Sequence, residues 1–275
     1  MAVNGKTILY GIVGNPVSHS LSPAMHNAAL AAAGINGIYL PFPAPDIAAA
    51  VTGIRGLGVQ GVSVTIPHKE QIMELLDEID PVAAKIGAVN TVVNNNGRLS
   101  GLNTDWLGAM RALEEQIVLS GAKAVLLGAG GSARAIGFGL LERGAELVLS
   151  SRTESKGRSL ADELGCPWVS LAESDTLSGD ILINATSVGM EPHAENSPVA
   201  AELNAEFTVV MDIVYAPLKT RLLQDAEERG CAIINGLEML LYQGVAQFEI
   251  WTAGKAPVAV MRSALQKALG RVGQS

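Results

Sequence analysis

The sequence predicts an α/β protein of two domains, and three observations predict it. Apolar strand-like runs alternate with helical patterns from end to end, the signature of mostly parallel sheets covered by helices. A chain of 275 residues that is 48% hydrophobic can bury two cores of ordinary size. Finally, Gly128-Ala129-Gly130-Gly131-Ser132-Ala133 follows the apolar stretch 124–127 and opens a helical segment, so the middle of the chain reads as a dinucleotide-binding unit.

In the first half, residues 7–13 read as a strand, followed by a loop and a helix over 22–33 that Gly34 closes. Pro23 after Ser22 suits the first helical position. Further strands are predicted at 38–42, 59–64, 88–93 and 99–102. Asn94-Asn95-Asn96-Gly97 between the last two predicts a hairpin, because Asn and Gly tolerate the positive φ of such a turn; this half therefore holds one antiparallel element. A helical pattern over 105–120, marked by Leu107, Met110, Leu113 and Ile117, leads out of it to Gly121. The second half continues with strands at 146–149, 180–184, 209–213 and 232–234 and helices over 132–143 and 218–229, with Gly144 and Gly230 where caps belong. Two last helical patterns, 237–252 and 257–269, have no strand beside them, so the chain is expected to return to the first domain. The expected organisation is a discontinuous domain of 1–104 with 237–275 and a nucleotide-binding domain of 105–236.

Composition excludes several classes of function. A net charge of −8 with scattered Lys and Arg argues against nucleic acid as a partner. No apolar run approaches the roughly 18 to 20 residues that span a bilayer, and the opening residues lack a secretory pattern, so no membrane partner and a cytoplasmic location are expected. Cys166 and Cys231 stand apart, and His19, His26, His68 and His193 have no metal-ligand spacing, so neither a disulfide framework nor a metal is expected. No solenoid repeat or low-complexity tail occurs.

The glycine run lets backbone approach a pyrophosphate, whose charge the start of the following helix favours. The next strand ends in Ser150-Ser151-Arg152-Thr153, where an acid would hold the ribose hydroxyl of NAD. Arg152, with Ser151, Thr153 and Lys156, instead offers donors and positive charge suited to a 2′-phosphate, so NADP is preferred over NAD. In the first half, Ser18 and Ser20 alternate in Gly14-Asn15-Pro16-Val17-Ser18-His19-Ser20 and can present two hydroxyls to one ligand, whereas Ser22 is accounted for as a helix cap. Val62-Ser63-Val64-Thr65-Ile66-Pro67-His68-Lys69 delivers Lys69 just past a strand end. Asn90 in Gly87-Ala88-Val89-Asn90-Thr91 and Asp105 in Asn103-Thr104-Asp105 are expected on the same rim.

These motifs together resemble the shikimate dehydrogenase family over almost the whole chain: the opening at 14–27, Val64 to Lys69, Gly87 to Thr91, Asn103 to Asp105 and Asn-Ala-Thr-Ser at 184–187. The resemblance implies a substrate domain beside a Rossmann-type NADP-binding domain, and NADPH-dependent reduction of 3-dehydroshikimate to shikimate, on the route to chorismate and the aromatic amino acids. It implies that Ser18 and Ser20, with Tyr215 nearby, bind a carboxylate. Thr65, Asn90, Asp105 and Gln243 would hold ring hydroxyls, and Lys69 with Asp105 would carry acid/base chemistry. The cofactor would contact Gly128, Ala129, Gly130, Gly131, Ser132, Ser151, Arg152, Thr153, Lys156, Thr186, Ile213 and Gly236. Ser63 and Ser151 stand where many members carry Asn. The shorter Ser63, expected at the substrate, could admit quinate, so an enzyme of relaxed substrate or cofactor choice is the nearest alternative. A ligand-binding regulator of the same fold, and another two-domain NADP enzyme such as a folate dehydrogenase, are further alternatives. Small molecules are the expected partners, and the chain is expected to act as a monomer or homodimer.

Overall fold

A computed structural model describes residues 3–272, without the side chains of 271 and 272. The chain divides into two compact units, one of Met1–Thr104 with Gln243–Ser275 and one of Asp105–Tyr242. Within the first, strands β1 (Ile8–Gly14), β2 (Gly37–Pro43), β3 (Gly61–Val64), β4 (Glu78–Ile79), β5 (Thr91–Asn95) and β6 (Arg98–Leu102) form a six-stranded sheet in the order β2-β1-β3-β5-β6-β4. Only β5 runs against its neighbours β3 and β6, as the Asn-Gly turn predicts; Asn96 and Gly97 take φ of 53° and 90°. Helices α1 (Ser22–Ala32), α2 (Ile47–Gly56) and α3 (Pro81–Ile86) belong to this unit. Ile47, Val51 and Ile54 of α2 pack with Val62, Val64, Val92 and Leu99 of the sheet into one core.

The direction of β5 decides which chain ends share an edge. The ends of β1, β3 and β6 and the start of β5 all lie on one edge, where an open sheet leaves its loops to bind ligands. The loops after β1 and β3 touch there: Asn15 N–H donates to Ile66 O at 3.0 Å and Thr65 N–H to Val13 O at 2.9 Å. A Cβ on Gly14 would lie 2.3 Å from Thr65 Cγ2 and 2.9 Å from Val17 Cγ1, so only glycine lets them close.

The second unit holds β7 (Lys123–Leu127), β8 (Glu146–Ser151), β9 (Trp168–Ser170), β10 (Ile181–Asn184), β11 (Val209–Asp212) and β12 (Ala232–Ile234), all parallel, in the order β12-β11-β10-β7-β8-β9. Helices α4 (Asp105–Glu114), α5 (Gly131–Glu142), α6 (Glu154–Leu164) and α7 (Arg221–Glu228) belong to it. This is the doubly wound arrangement, whose strand order reverses between β7 and β10. Helix α8 (Gly236–Thr252) runs unbroken from the second unit into the first, and α9 (Val258–Val272) packs against α1.

Several predicted bounds shift. The helix expected over 105–120 stops at Glu114, where Leu113 O takes both Gln116 N–H and Ile117 N–H and the β-branched pair Ile117-Val118 continues outside the helix. The helix expected from 218 starts at Arg221, because Thr220 Oγ1 caps it by accepting from Leu223 N–H. Residues 88–90, expected in a strand, are tied instead to the loop after β3 and to the end of β6, with Val89 N–H on Lys69 O at 2.8 Å and Asn90 N–H on Leu102 O at 3.1 Å. Helices α2, α3 and α6 and strands β4 and β9 are additional to the predicted elements. Among the described residues no helix is long and apolar enough to cross a membrane. We expect Gly14→Ala to destabilise the first unit by about 1–3 kcal/mol through overpacking, read as a lowered melting temperature.

Candidate functional site

In the first unit the predicted polar residues gather along the edge just described. Ser18 is exposed and Ser20 half-buried on the loop after β1. Ser20 Oγ accepts from Ser22 N–H at 3.3 Å, and among the described residues neither serine donates its hydroxyl to a protein group. Past β3, Thr65 and Lys69 are half-buried. Lys69 is held at both ends of its short segment: its carbonyl accepts from Val89, and the ring of His68 donates Nε2–H to Ala44 O at 2.7 Å.

Asn90 lies at the centre of the edge and is 2% exposed. Its Oδ1 accepts from Thr104 N–H at 2.7 Å and from the Thr91 hydroxyl at 2.7 Å, while Nδ2 donates to Thr104 Oγ1 at 3.0 Å and, more distantly, to Gln243 Oε1 at 3.4 Å. Because a backbone N–H can only donate, the orientation of this amide is settled, with oxygen towards Thr104 N and nitrogen towards Gln243. Ser63 lies deeper. Its Oγ accepts from Tyr39 OH and donates to Gln247 Oε1, both at 2.7 Å, so its only proton is spent inside the wall. Gln247, Thr91, Thr104 and Tyr39 join this network without standing out in the sequence as ligand groups. Gln247 lies one helical turn beyond Gln243 on α8, and that spacing was the available signal.

In the second unit the glycine run occupies the switch point. Gly128 has φ of +118°, and a Cβ there would meet Ala185 O at 2.9 Å, which brings the loop after β7 against the loop after β10. Gly130 caps α5 without a side chain, and a Cβ on it would meet nothing within 4 Å, so the head of α5 is uncrowded at that position and carries the unpaired N–H groups of a helix start. Ala129, Gly131 and Ser132 are half-buried beside it. Past β8, Arg152, Thr153 and Lys156 are exposed, and among the described residues no carboxylate pairs with either cation. Ser151 is buried: its Oγ accepts from Trp168 Nε1–H at 3.0 Å and donates to Thr153 O at 3.2 Å, so this hydroxyl shapes the loop from within. These features fit a dinucleotide carrying a 2′-phosphate.

Beyond β10 and β11 a buried carboxylate organises the remaining loops. Asp212, 0% exposed, accepts from the Thr220 hydroxyl at 2.7 Å, Val214 N–H at 2.9 Å and Asn184 Nδ2 at 3.0 Å. Asn184 Oδ1 in turn accepts from Thr186 N–H at 3.0 Å and from its hydroxyl at 2.6 Å. Thr186 and Ile213 are thereby held at adjacent strand ends, and Gly236 abuts Ile213, since a Cβ there would lie 2.2 Å from Ile213 O. Tyr215 is half-buried on the same loop, and burial raises its phenol above the ordinary value. Asp105, 5% exposed, opens α4.

A doubly wound nucleotide-binding unit joined to a second α/β unit with a neutral, hydrogen-bonding edge and one lysine defines the class: a two-domain nicotinamide-dependent dehydrogenase. Comparison with known proteins narrows it. The family described as "Shikimate dehydrogenase substrate binding domain" matches residues 12–92, and that described as "Shikimate 5'-dehydrogenase C-terminal domain" matches 236–266. The Methanothermobacter thermautotrophicus shikimate dehydrogenase (NADP+) is 47% identical, covering 98% of this chain and 99% of its own. A shikimate dehydrogenase solved in complex with NADP+ is 40% identical with a TM-score of 0.92, covering 98% of each chain. The Thermus thermophilus shikimate 5-dehydrogenase, solved with NADP(H) and shikimate, is 39% identical with a TM-score of 0.89, covering 96% of this chain and 100% of that one. The chain belongs to the shikimate dehydrogenase family.

Burial is the largest influence on the Asp212 carboxyl, pushing it up to about 6 against the opposing hydrogen bonds from Thr220, Val214 and Asn184. The folded protein therefore keeps a proton that the unfolded chain releases between about pH 4 and 6. This contribution to stability is full below that window and erodes as pH rises through it, by about 3 kcal/mol at most. We expect Asp212→Asn to remove that dependence, so its melting temperature gains on the unaltered protein as pH rises from about 4 to 7.

Proposed function

We propose that this chain is an NADP-dependent shikimate dehydrogenase, reversibly reducing 3-dehydroshikimate to shikimate on the route to chorismate and the aromatic amino acids. The observation that carries the proposal is its relation, along nearly its whole length, to proteins bearing that name, at 47% identity over 98% of the chain. The chemistry of the first unit agrees with it. A small polyhydroxylated ring with one carboxylate needs several neutral donors and acceptors and little charge, and that edge offers serine and threonine hydroxyls, amides and one ammonium.

In this reading Ser18 and Ser20 donate their hydroxyls to the carboxylate, with Tyr215. Thr65, Asn90, Asp105 and Gln243 hold the ring hydroxyls. Gly128 to Ser132 take the pyrophosphate on backbone N–H groups, Arg152, Thr153 and Lys156 take the 2′-phosphate, and Thr186, Ile213 and Gly236 border the nicotinamide. Ser151 supports that loop through Thr153. NADPH supplies, when bound, the hydride that no side chain can provide. Lys69 gives a proton to the ketone oxygen and, as an ammonium, offsets the negative charge that grows there; Asp105 orients the lysine and the hydroxyl. The partners are small molecules, and the enzyme works in the cytoplasm as a monomer or homodimer.

Spectrophotometric assay with shikimate and NADP tests the proposal, and absence of NADPH formation overturns it. Lys69→Ala is expected to lower kcat by about 100-fold or more while leaving NADPH affinity unchanged. Near-normal turnover removes its role. Arg152→Ala is expected to raise KM for NADP by about tenfold or more and leave that for NAD almost unchanged. Equal losses for both cofactors contradict the 2′-phosphate contact.

A further inference from the structure

We propose that Gln247, Ser63 and Thr91 are positioning residues for Asn90, linked in a one-way chain of hydrogen bonds that starts at Tyr39 and ends on Asn90 Oδ1. The proposal deepens the reading of this edge as the substrate site and rests on it.

The donor of each bond in the chain follows from atoms that can only accept, and the Thr104 hydroxyl, 3.2 Å from both Thr91 Oγ1 and Asn90 Oδ1, leaves that order unchanged. Thr104 N–H at 2.7 Å makes Oδ1 the acceptor atom of Asn90, so the Thr91 hydroxyl, also 2.7 Å away, donates to it. Thr91 Oγ1 then accepts, and its partner at 3.0 Å is Gln247 Nε2, whose other proton goes to the Asn90 carbonyl at 3.1 Å. The Gln247 orientation is thereby settled, leaving Oε1 to accept from Ser63 at 2.7 Å. Ser63, its proton used, accepts from Tyr39 OH at 2.7 Å. Burial holds the Tyr39 phenol well above its ordinary range, against the opposing Ser63 and Ser22 hydroxyls, so it stays a donor. His26 stacks on its ring with centroids 4.5 Å apart.

Such a chain does more than satisfy buried groups. Hydrogen bonds that point the same way polarise one another. Here they converge on one amide oxygen, which draws electron density from Nδ2 and makes Nδ2–H the better donor. Asn90 would meet a substrate oxygen as a donor only, with its rotamer held by groups that never touch the ligand. Ser63, expected at the ring, contributes through Asn90 instead.

The test uses Thr91→Val and Gln247→Met, which keep approximate size and remove the hydrogen bonds, with Thr91→Ser as the variant that retains the hydroxyl. For each full-length variant, kcat, KM for shikimate, KM for NADP and melting temperature are measured. Loss of either link next to Asn90, Thr91 or Gln247, is expected to raise KM for shikimate about five- to tenfold with KM for NADP unchanged, and Thr91→Ser should restore it. In an Asn90→Ala background, Gln247→Met should change KM for shikimate by less than about twofold. A lowered melting temperature with KM for shikimate unmoved overturns the proposal, as do additive effects in the Asn90→Ala background. Should the larger changes prevent folding, Ser63→Ala removes a single hydroxyl and carries the same expectation with a rise of about twofold, its absence overturning the proposal. If the unaltered chain fails to oxidise shikimate, the reading of the site and this inference fall together; if it turns over normally and only these effects are missing, this inference alone fails.

Discussion

The bond from Thr104 N–H to Asn90 Oδ1 is the constraint on which the first unit's polar edge depends. It joins the chain leaving β6 to the segment entering β5, and it settles an amide that could otherwise take two orientations. Around that amide the backbone is tied down in turn, with Val64 N–H on Asn90 O at 2.7 Å and Val89 N–H on the Lys69 carbonyl. Strand β3 and the loop carrying the lysine are thereby held by the neighbouring peptide groups of Asn90 and Val89. A buried polar network of this kind rigidifies when every member is satisfied and costs stability when one is not.

The second unit applies the same principle with a charge. Asp212 lies where three donors from the ends of β10 and β11 and from the cap of α7 meet, and Asn184 passes the order on to Thr186. Burial disfavours the ionised form, while the donors favour it, which is why its carboxyl is displaced towards neutrality without losing its bonds. The glycine loop needs no such support. Its shape follows from Gly128 approaching Ala185 O more closely than a side chain would allow, and the start of α5 is a geometry that suits an anion.

Much of the fold was legible because it rests on local patterns. The hairpin at Asn96-Gly97, the caps at Gly144 and Gly230 and the loop at Gly128 each follow from the φ their residues tolerate, and the structure has them at positive φ. Helix α3 spans six residues, too few to show an apolar period, and α6, although Gly157, Leu160 and Ala161 give it a buried face, has a mostly polar sequence that reads as a loop. The end of α4 was misplaced because Ile117 continues the helical spacing of Leu113 although the backbone has already turned. Of the candidate site, the residue types were readable and their partners were not. Ser63 and Ser151 looked like ligand groups, and both hydroxyls turn out to be engaged within their own units.

By itself the sequence determined the α/β character, the dinucleotide loop and the family, since periodicity, glycine spacing and motif order are properties of neighbouring residues. Only the tertiary structure decided which polar groups satisfy one another. Ser63 and Gln247 lie 184 positions apart and become partners because α8 returns to the sheet of the first unit. Hydrogen-bond direction depends on distances between such remote groups, and no spacing along the chain encodes it.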